Sequence, residues 1–145
     1  MEFLRKPEIE KRIEEKNVIG GTSHEIQAIV MEMAEALGFK SEKKGLFAEY
    51  STRQLRPDYY LPIGESGVIL EVERGKTTMN NMDLLDIWKC HICQRADYLF
   101  IMVPHSRPSA NGTQLRHYHS VQQRLATFFT PQNHINVEVV FIYGY

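Results

Sequence analysis

Residues 56–74 read Arg56-Pro57-Asp58-Tyr59-Tyr60-Leu61-Pro62-Ile63-Gly64-Glu65-Ser66-Gly67-Val68-Ile69-Leu70-Glu71-Val72-Glu73-Arg74, and the reading of this stretch decides the fold. Two largely apolar runs flank Gly64-Glu65-Ser66-Gly67, a turn by composition, so the segment predicts a β-hairpin with strands over 56–63 and 68–74. The second run is apolar enough for the interior of a sheet. Glu71 and Glu73 interrupt it at alternate positions, which puts both on one face. Symmetric pairing about the turn sets Asp58 opposite Glu73 and Tyr60 opposite Glu71. Asp58, Glu71 and Glu73 then share a face, within reach of one ion. One bulge in either strand would turn Asp58 away.

Like charges facing each other across a ladder repel, and a half-buried carboxylate without a partner raises the cost. Mg²⁺ or Mn²⁺ is the natural compensation, because hard cations take carboxylate and water oxygens, whereas zinc would want His or Cys. The competing reading, solvent-facing charge on an amphipathic hairpin, fits poorly with a central strand.

Outward from the hairpin, residues 7–16 alternate Glu with Lys or Arg around Ile9 and Ile13, a mostly solvated helix expected to dock weakly. Gly20-Gly21 breaks the chain. Thr22 or Ser23 then caps a helix with the stripe Ile26, Ile29, Val30, Met33 and Leu37, ended by Gly38. A short strand is expected over 45–50. Beyond the hairpin, Asn80 or Asn81 caps a helix with Leu84, Leu85, Ile87, Trp88 and Ile92 inward. The run 98–103, stopped by Pro104, reads as a buried parallel strand. A loop over 105–112, a helix over 113–129 with Leu115, Tyr118, Val121, Leu125 and Phe128 inward, and a strand over 135–143 complete the chain. The fold class is α/β. The chain reads as one domain: a helical extension over 1–20, a core over 22–104, and a helix and strand over 105–145.

The chain has 145 residues, 43% of them hydrophobic, the size of one ordinary domain with a core of its own. No apolar run approaches the roughly 18 residues of a membrane span, and the charged N-terminus lacks a signal peptide's apolar stretch, so no membrane association is expected and the location is cytoplasmic. A net charge of −1 gives no global pull on phosphate. Between residues 50 and 130, nine Lys and Arg stand against seven Asp and Glu, so without the three clustered acids this stretch is basic.

Pro57-Asp58, a short hairpin, and Glu71-Val72-Glu73 on a strand entering a helix resemble the PD-(D/E)XK nuclease superfamily. The resemblance spans residues 22–104 and implies a restriction-endonuclease-like αβββαβ core, a mixed central sheet flanked by helices. It implies metal-dependent hydrolysis of phosphodiester bonds, in DNA by expectation, with Asp58 and Glu71 as metal ligands. Most members carry Lys where this chain has Glu73; some type II restriction enzymes are similar to it in carrying Glu-x-Glu, which leaves the general base open. The resemblance also implies a further Glu from the first helix, Glu25 or Glu32, with Glu25 preferred. Arg56-Pro57-Asp58 and Leu70-Glu71-Val72-Glu73-Arg74-Gly75 are also similar to replication-relaxation proteins of plasmids and mobile elements. Gln94 and Tyr98 match a Gln-x-x-x-Tyr pattern of RecB-like nucleases, which is too common to count.

For such a nuclease, Arg74 and Lys76 are placed to clamp a phosphate, and Arg53, Arg56, Lys89 and Arg95 to rim a phosphate-binding groove. So small a domain offers little groove, which makes a homodimer a reasonable expectation. Cys90 and Cys93 have Cys-x-x-Cys spacing, yet a helix sets them one turn apart among packed residues with no second pair, which argues against zinc. Three functions follow. A metal-dependent endonuclease fits the intact acids and thin basic surface; the alternatives are a non-catalytic DNA-binding or replication and mobilisation accessory module, and a regulatory protein whose acidic face binds a basic partner.

Overall fold

The hairpin forms, as strands β2 (Tyr59–Ile63) and β3 (Ser66–Val72) of a five-stranded sheet. The structure is a computed structural model that describes residues 2–41, 46–47, 50, 55–74, 77–108 and 114–145. The sheet order is β1-β2-β3-β4-β7, with β1 at Lys40–Ser41, β4 at Tyr98–Val103 and β7 at Val139–Gly144. β1, β2 and β3 are antiparallel; β3, β4 and β7 run parallel. A two-residue pair, β5 (Arg107–Pro108) and β6 (Gln114–Leu115), makes a separate small hairpin where loop and helix start were expected.

The register differs from the symmetric one. Tyr59 pairs with Leu70 and Tyr60 with Ile69, so the turn closes on two residues, Gly64 and Glu65, with Gly64 at φ 59°. The shift relative to expectation is two residues. Because the side-chain period is also two, every residue keeps its face, and Asp58 comes level with Glu71 instead of Glu73.

Helices α1 (Pro7–Lys16) and α2 (Ser23–Ala36) cover one face of the sheet, and α3 (Met82–Ile92) and α4 (His117–Ala126) the other. On the first face Leu70, Val72 and Met102 pack against Ile26, Val30 and Met33. Leu37, expected in this stripe, is exposed, and Ala34 is buried instead. α1 docks firmly, through buried Ile9 and Ile13, with Leu4 of a preceding 3-10 turn beneath it. On the second face Ile69, Leu99 and Ile101 meet Ile87, Cys90, Val121 and Leu125. No helix among the described residues is long and apolar enough to cross a membrane.

Two expectations are corrected here. The strand next to β2 is Lys40–Ser41; in the expected 45–50 segment Leu46 and Phe47 are turn and Tyr50 a bend, with 45, 48 and 49 outside the described residues. On α3, Leu84, Leu85, Ile87 and Ile92 pack against the core as expected, but Trp88 does not. Trp88 is 45% exposed, while Asp83, Asp86, Ile87, Lys89 and Cys90 are buried.

Candidate metal centre

The hairpin and α3 bring the acids together. Asp58 precedes β2 and is fastened to β3 twice: its backbone N–H donates to Glu71 Oε2 at 3.2 Å, and its Oδ2 accepts the Val72 N–H at 2.9 Å. Glu71 lies in β3, facing α3, and is 3% exposed. Glu73 follows β3 and is half-buried. Its backbone is held from both sides, N–H to Met102 O at 2.8 Å and O to the Tyr145 hydroxyl at 2.7 Å.

From α3, Lys89 Nζ reaches across to Glu71 Oε1 at 2.8 Å and to Asp86 Oδ1 at 2.9 Å. Lys89, expected on the rim of a phosphate groove, is therefore buried in an ion-pair triad. Asp86 is fully buried, and its second oxygen, Oδ2, has no hydrogen-bond partner among the described residues. Among the described residues, four carboxylates thus share one ammonium: Glu71 and Asp86 touch Lys89, and Asp58 and Glu73 lie within reach of its charge.

The electrostatics follow from this surplus. Burial, then the charge of Asp86, pushes the Glu71 carboxyl well above the ordinary carboxylate range. The same two causes lift Glu73 to about 8. Burial lifts Asp86 to about 6, against the pull of Lys89, and it raises Asp58 despite the Val72 N–H. Burial alone would drive the Lys89 ammonium down, yet Glu71 and Asp86 outweigh it and hold the proton on. Among the described residues the cluster carries more acid groups than Lys89 can balance, which favours uptake of protons or of another cation.

The donor set is all oxygen, which suits Mg²⁺ or Mn²⁺ and not zinc, and the bare Asp86 Oδ2 is a buried acceptor left to be filled. Among the described residues no three His, Cys, Asp or Glu side chains already converge on one point as ligands do. Lys89 Nζ stands between Glu71 and Asp86 and holds their oxygens around itself. The residues fit a hard divalent cation by chemistry, with Lys89 in the space between two of them.

The remaining expected residues are dispersed. Glu25 completes a capping box at the start of α2: one oxygen accepts the Thr22 N–H at 2.9 Å, the other meets Lys16 at 3.2 Å. The Thr22 N–H, then Lys16, hold its carboxyl below the ordinary range, so it serves the helix end and not the cluster. Glu32, the alternative, pairs with Arg12. From α2, Gln27 hydrogen-bonds Asp58 and His24 lies within electrostatic reach of it. Arg74, expected to clamp phosphate, donates to Gly21 O and Val18 O and ties β3 to the α1–α2 link. Arg56 is exposed beside Asp58, and Lys76 and Arg53 lie outside the described residues. Cys90 and Cys93 are buried free thiols; burial pushes Cys90 up to about 12, and its Sγ donates to Ala96 O at 3.5 Å.

Sequence reading missed Asp83 and Asp86. The signal was there: 83, 86, 87 and 90 follow the i, i+3, i+4, i+7 spacing of a buried helical face. Asp83, also fully buried, is held by Arg124 of α4, Nε to Oδ2 at 2.8 Å, and Arg124 also donates to Asn81 Oδ1 at 2.7 Å. Compared with protein-family models, curated proteins and solved structures, the chain matches none, so the functional reading stands on the site.

Proposed function

We propose that this chain is a metal-dependent endonuclease that hydrolyses phosphodiester bonds, with DNA the expected substrate and a restriction-endonuclease-like core. The observation that carries the reading is the buried surplus of carboxylates where β2, β3 and α3 meet. The element order α2, β1, β2, β3, α3, β4 supports the core, since it is the αβββαβ order that the resemblance implies. Lys89 strengthens it further: it brings from α3 the ammonium that most members of that superfamily carry at the position of Glu73.

Asp58 and Glu71 would hold Mg²⁺ or Mn²⁺, with Glu73 at the margin. Such an ion, when bound, polarises a phosphoryl oxygen and acidifies a water. Glu73, half-buried and lifted to about 8, would take the proton of the attacking water only in its ionised form, which higher pH or a neighbouring cation favours. The Lys89 ammonium stays charged and is a positive charge at this site that would offset negative charge growing on the phosphate. Arg56, exposed next to Asp58, is the described cation left to meet the phosphate backbone at this edge. The products are a phosphomonoester and a free hydroxyl.

A pure DNA-binding module is disfavoured because Arg74 is spent on internal contacts. An acidic docking face is disfavoured because Glu71 and Asp86 are buried. The test is cleavage of a DNA substrate with Mg²⁺ or Mn²⁺ by wild type, Asp58→Ala and Glu71→Ala. Loss of cleavage by about a thousandfold, an order typical for removing a principal catalytic group, is expected with circular dichroism unchanged. Cleavage that survives either substitution, or DNA binding without cleavage under every metal, overturns the reading.

A further inference from the structure

We propose that Asp86 is the α3 ligand of the divalent cation, and that Lys89 is the group the cation displaces from Glu71. The inference rests on the reading of Asp58 and Glu71 as a metal site and names a ligand that the resemblance does not supply.

Two observations point to Asp86. Its side chain is fully buried, with Oδ1 on Lys89 and Oδ2 bare. A buried carboxylate oxygen without a partner is rare and calls for a missing donor or cation. The contrast with Asp83 shows that the fold can saturate such a group when it needs only structure. Asp83 is equally buried, three residues earlier on the same helix, and Arg124 serves both of its oxygens, at 2.8 and 3.2 Å. Asp86 has no such fork, because Lys89 is a single ammonium shared with Glu71.

Lys89 is suited to leaving. Its ammonium is a point charge on a flexible four-carbon stem, whereas a guanidinium fork would hold both carboxylates in one fixed geometry. It bridges one carboxylate from β3 and one from α3, the two that a cation between strand and helix would also join. Asp86 and Glu71 would hold a divalent ion in place of Lys89, whose Nζ would then be free to meet a phosphate oxygen. One exchange thus builds the ligand shell and releases the cation that the substrate needs.

The experiment is Mn²⁺ calorimetry, without nucleic acid, on wild type, Lys89→Met, Lys89→Met/Asp86→Asn and Asp58→Ala, each checked for folding by thermal melting. Asp86→Asn alone would strand Lys89 and risk misfolding; the double variant removes both charges together. Removing the competitor in Lys89→Met is expected to tighten Mn²⁺ binding, and adding Asp86→Asn to weaken it again by about tenfold or more. If the double variant binds like Lys89→Met while Asp58→Ala binds poorly, Asp86 is not a ligand and this inference falls while the metal reading stands. If Lys89→Met binds no more tightly than wild type, Lys89 is not a competitor and the exchange falls. If no variant, wild type included, binds Mn²⁺, the metal reading itself fails and takes this inference with it.

Discussion

Asp83 and Asp86 sit one turn apart on α3, both fully buried, and their surroundings could hardly differ more. Asp83 meets a guanidinium that covers both oxygens and also holds Asn81, pinning the start of α3 to α4. Asp86 meets one ammonium that also serves Glu71, within reach of the charges of Asp58 and Glu73. The first cluster is closed: charges match and oxygens are filled. The second is open, with surplus negative charge and a bare oxygen. A saturated polar network fixes a structure, while an unsaturated one at the same depth keeps binding capacity in reserve.

The largest effect on stability should come from breaking the closed cluster. Arg124→Ala leaves Asp83 buried and uncompensated, which costs about 3 kcal/mol, the low end for a buried pair because Arg124 is itself 30% exposed. Lys89→Met is expected to cost less than half of that in urea unfolding, because Glu71 and Asp86 can each take up a proton in place of the ammonium. That loss should shrink further as pH falls. Equal costs for the two substitutions would mean that the clusters do not differ as described.

A smaller effect, with a definite sign, concerns pH. Glu73 titrates near 8 in the folded chain against an ordinary 4.5, and Asp86 near 6 against 3.8. The native state therefore binds these protons more tightly than the unfolded chain does. Their stabilising contribution is complete below the ordinary values and is lost as pH rises through about 6 for Asp86 and about 8 for Glu73. The metal-free protein should accordingly melt at a lower temperature at pH 8 than at pH 6, and Glu73→Gln should flatten the upper part of that slope. Metal uptake must expel the same protons, so Mn²⁺ should bind more tightly at pH 8 than at pH 6. A melting temperature level between the two pH values would remove the open cluster's surplus charge from the comparison.

Much of this was legible in the sequence, and the failures have physical reasons. β4 falls at 98–103 as read, since an apolar run closed by Pro104 leaves little choice. The hairpin register slipped by two residues because Gly64 allows a tighter, two-residue turn, yet period two left Glu71 on the expected face with Asp58 beside it. On α3 the apolar count wrongly turns Trp88 inward and overlooks the buried charges beside Ile87 and Cys90. What is buried instead is a set of charges that satisfy one another across elements, Asp83 with Arg124 and Lys89 with Glu71. Long-range pairing of this kind has no local signature. Arg74 was misassigned likewise: nothing near residue 74 announces that the Gly21 and Val18 carbonyls will meet its guanidinium.

The smallest expected effect sharpens the comparison from outside the core. Glu25 is a third kind of acid, saturated like Asp83 yet at the surface, where Thr22 and Lys16 occupy both of its oxygens. Glu25→Gln keeps a side-chain acceptor for the Thr22 N–H and removes only charge at the helix N-terminus, where solvent already screens it. The melting temperature should drop slightly. Mn²⁺ affinity and cleavage should not change, because both carboxylate oxygens are turned to Thr22 and Lys16 and away from Asp58. A substantial loss of Mn²⁺ binding in this variant would mean that α2 re-aims Glu25 when the cation arrives. The ligand set would then extend from β2, β3 and α3 to a fourth element, and the boundary between closed and open acids would move with it.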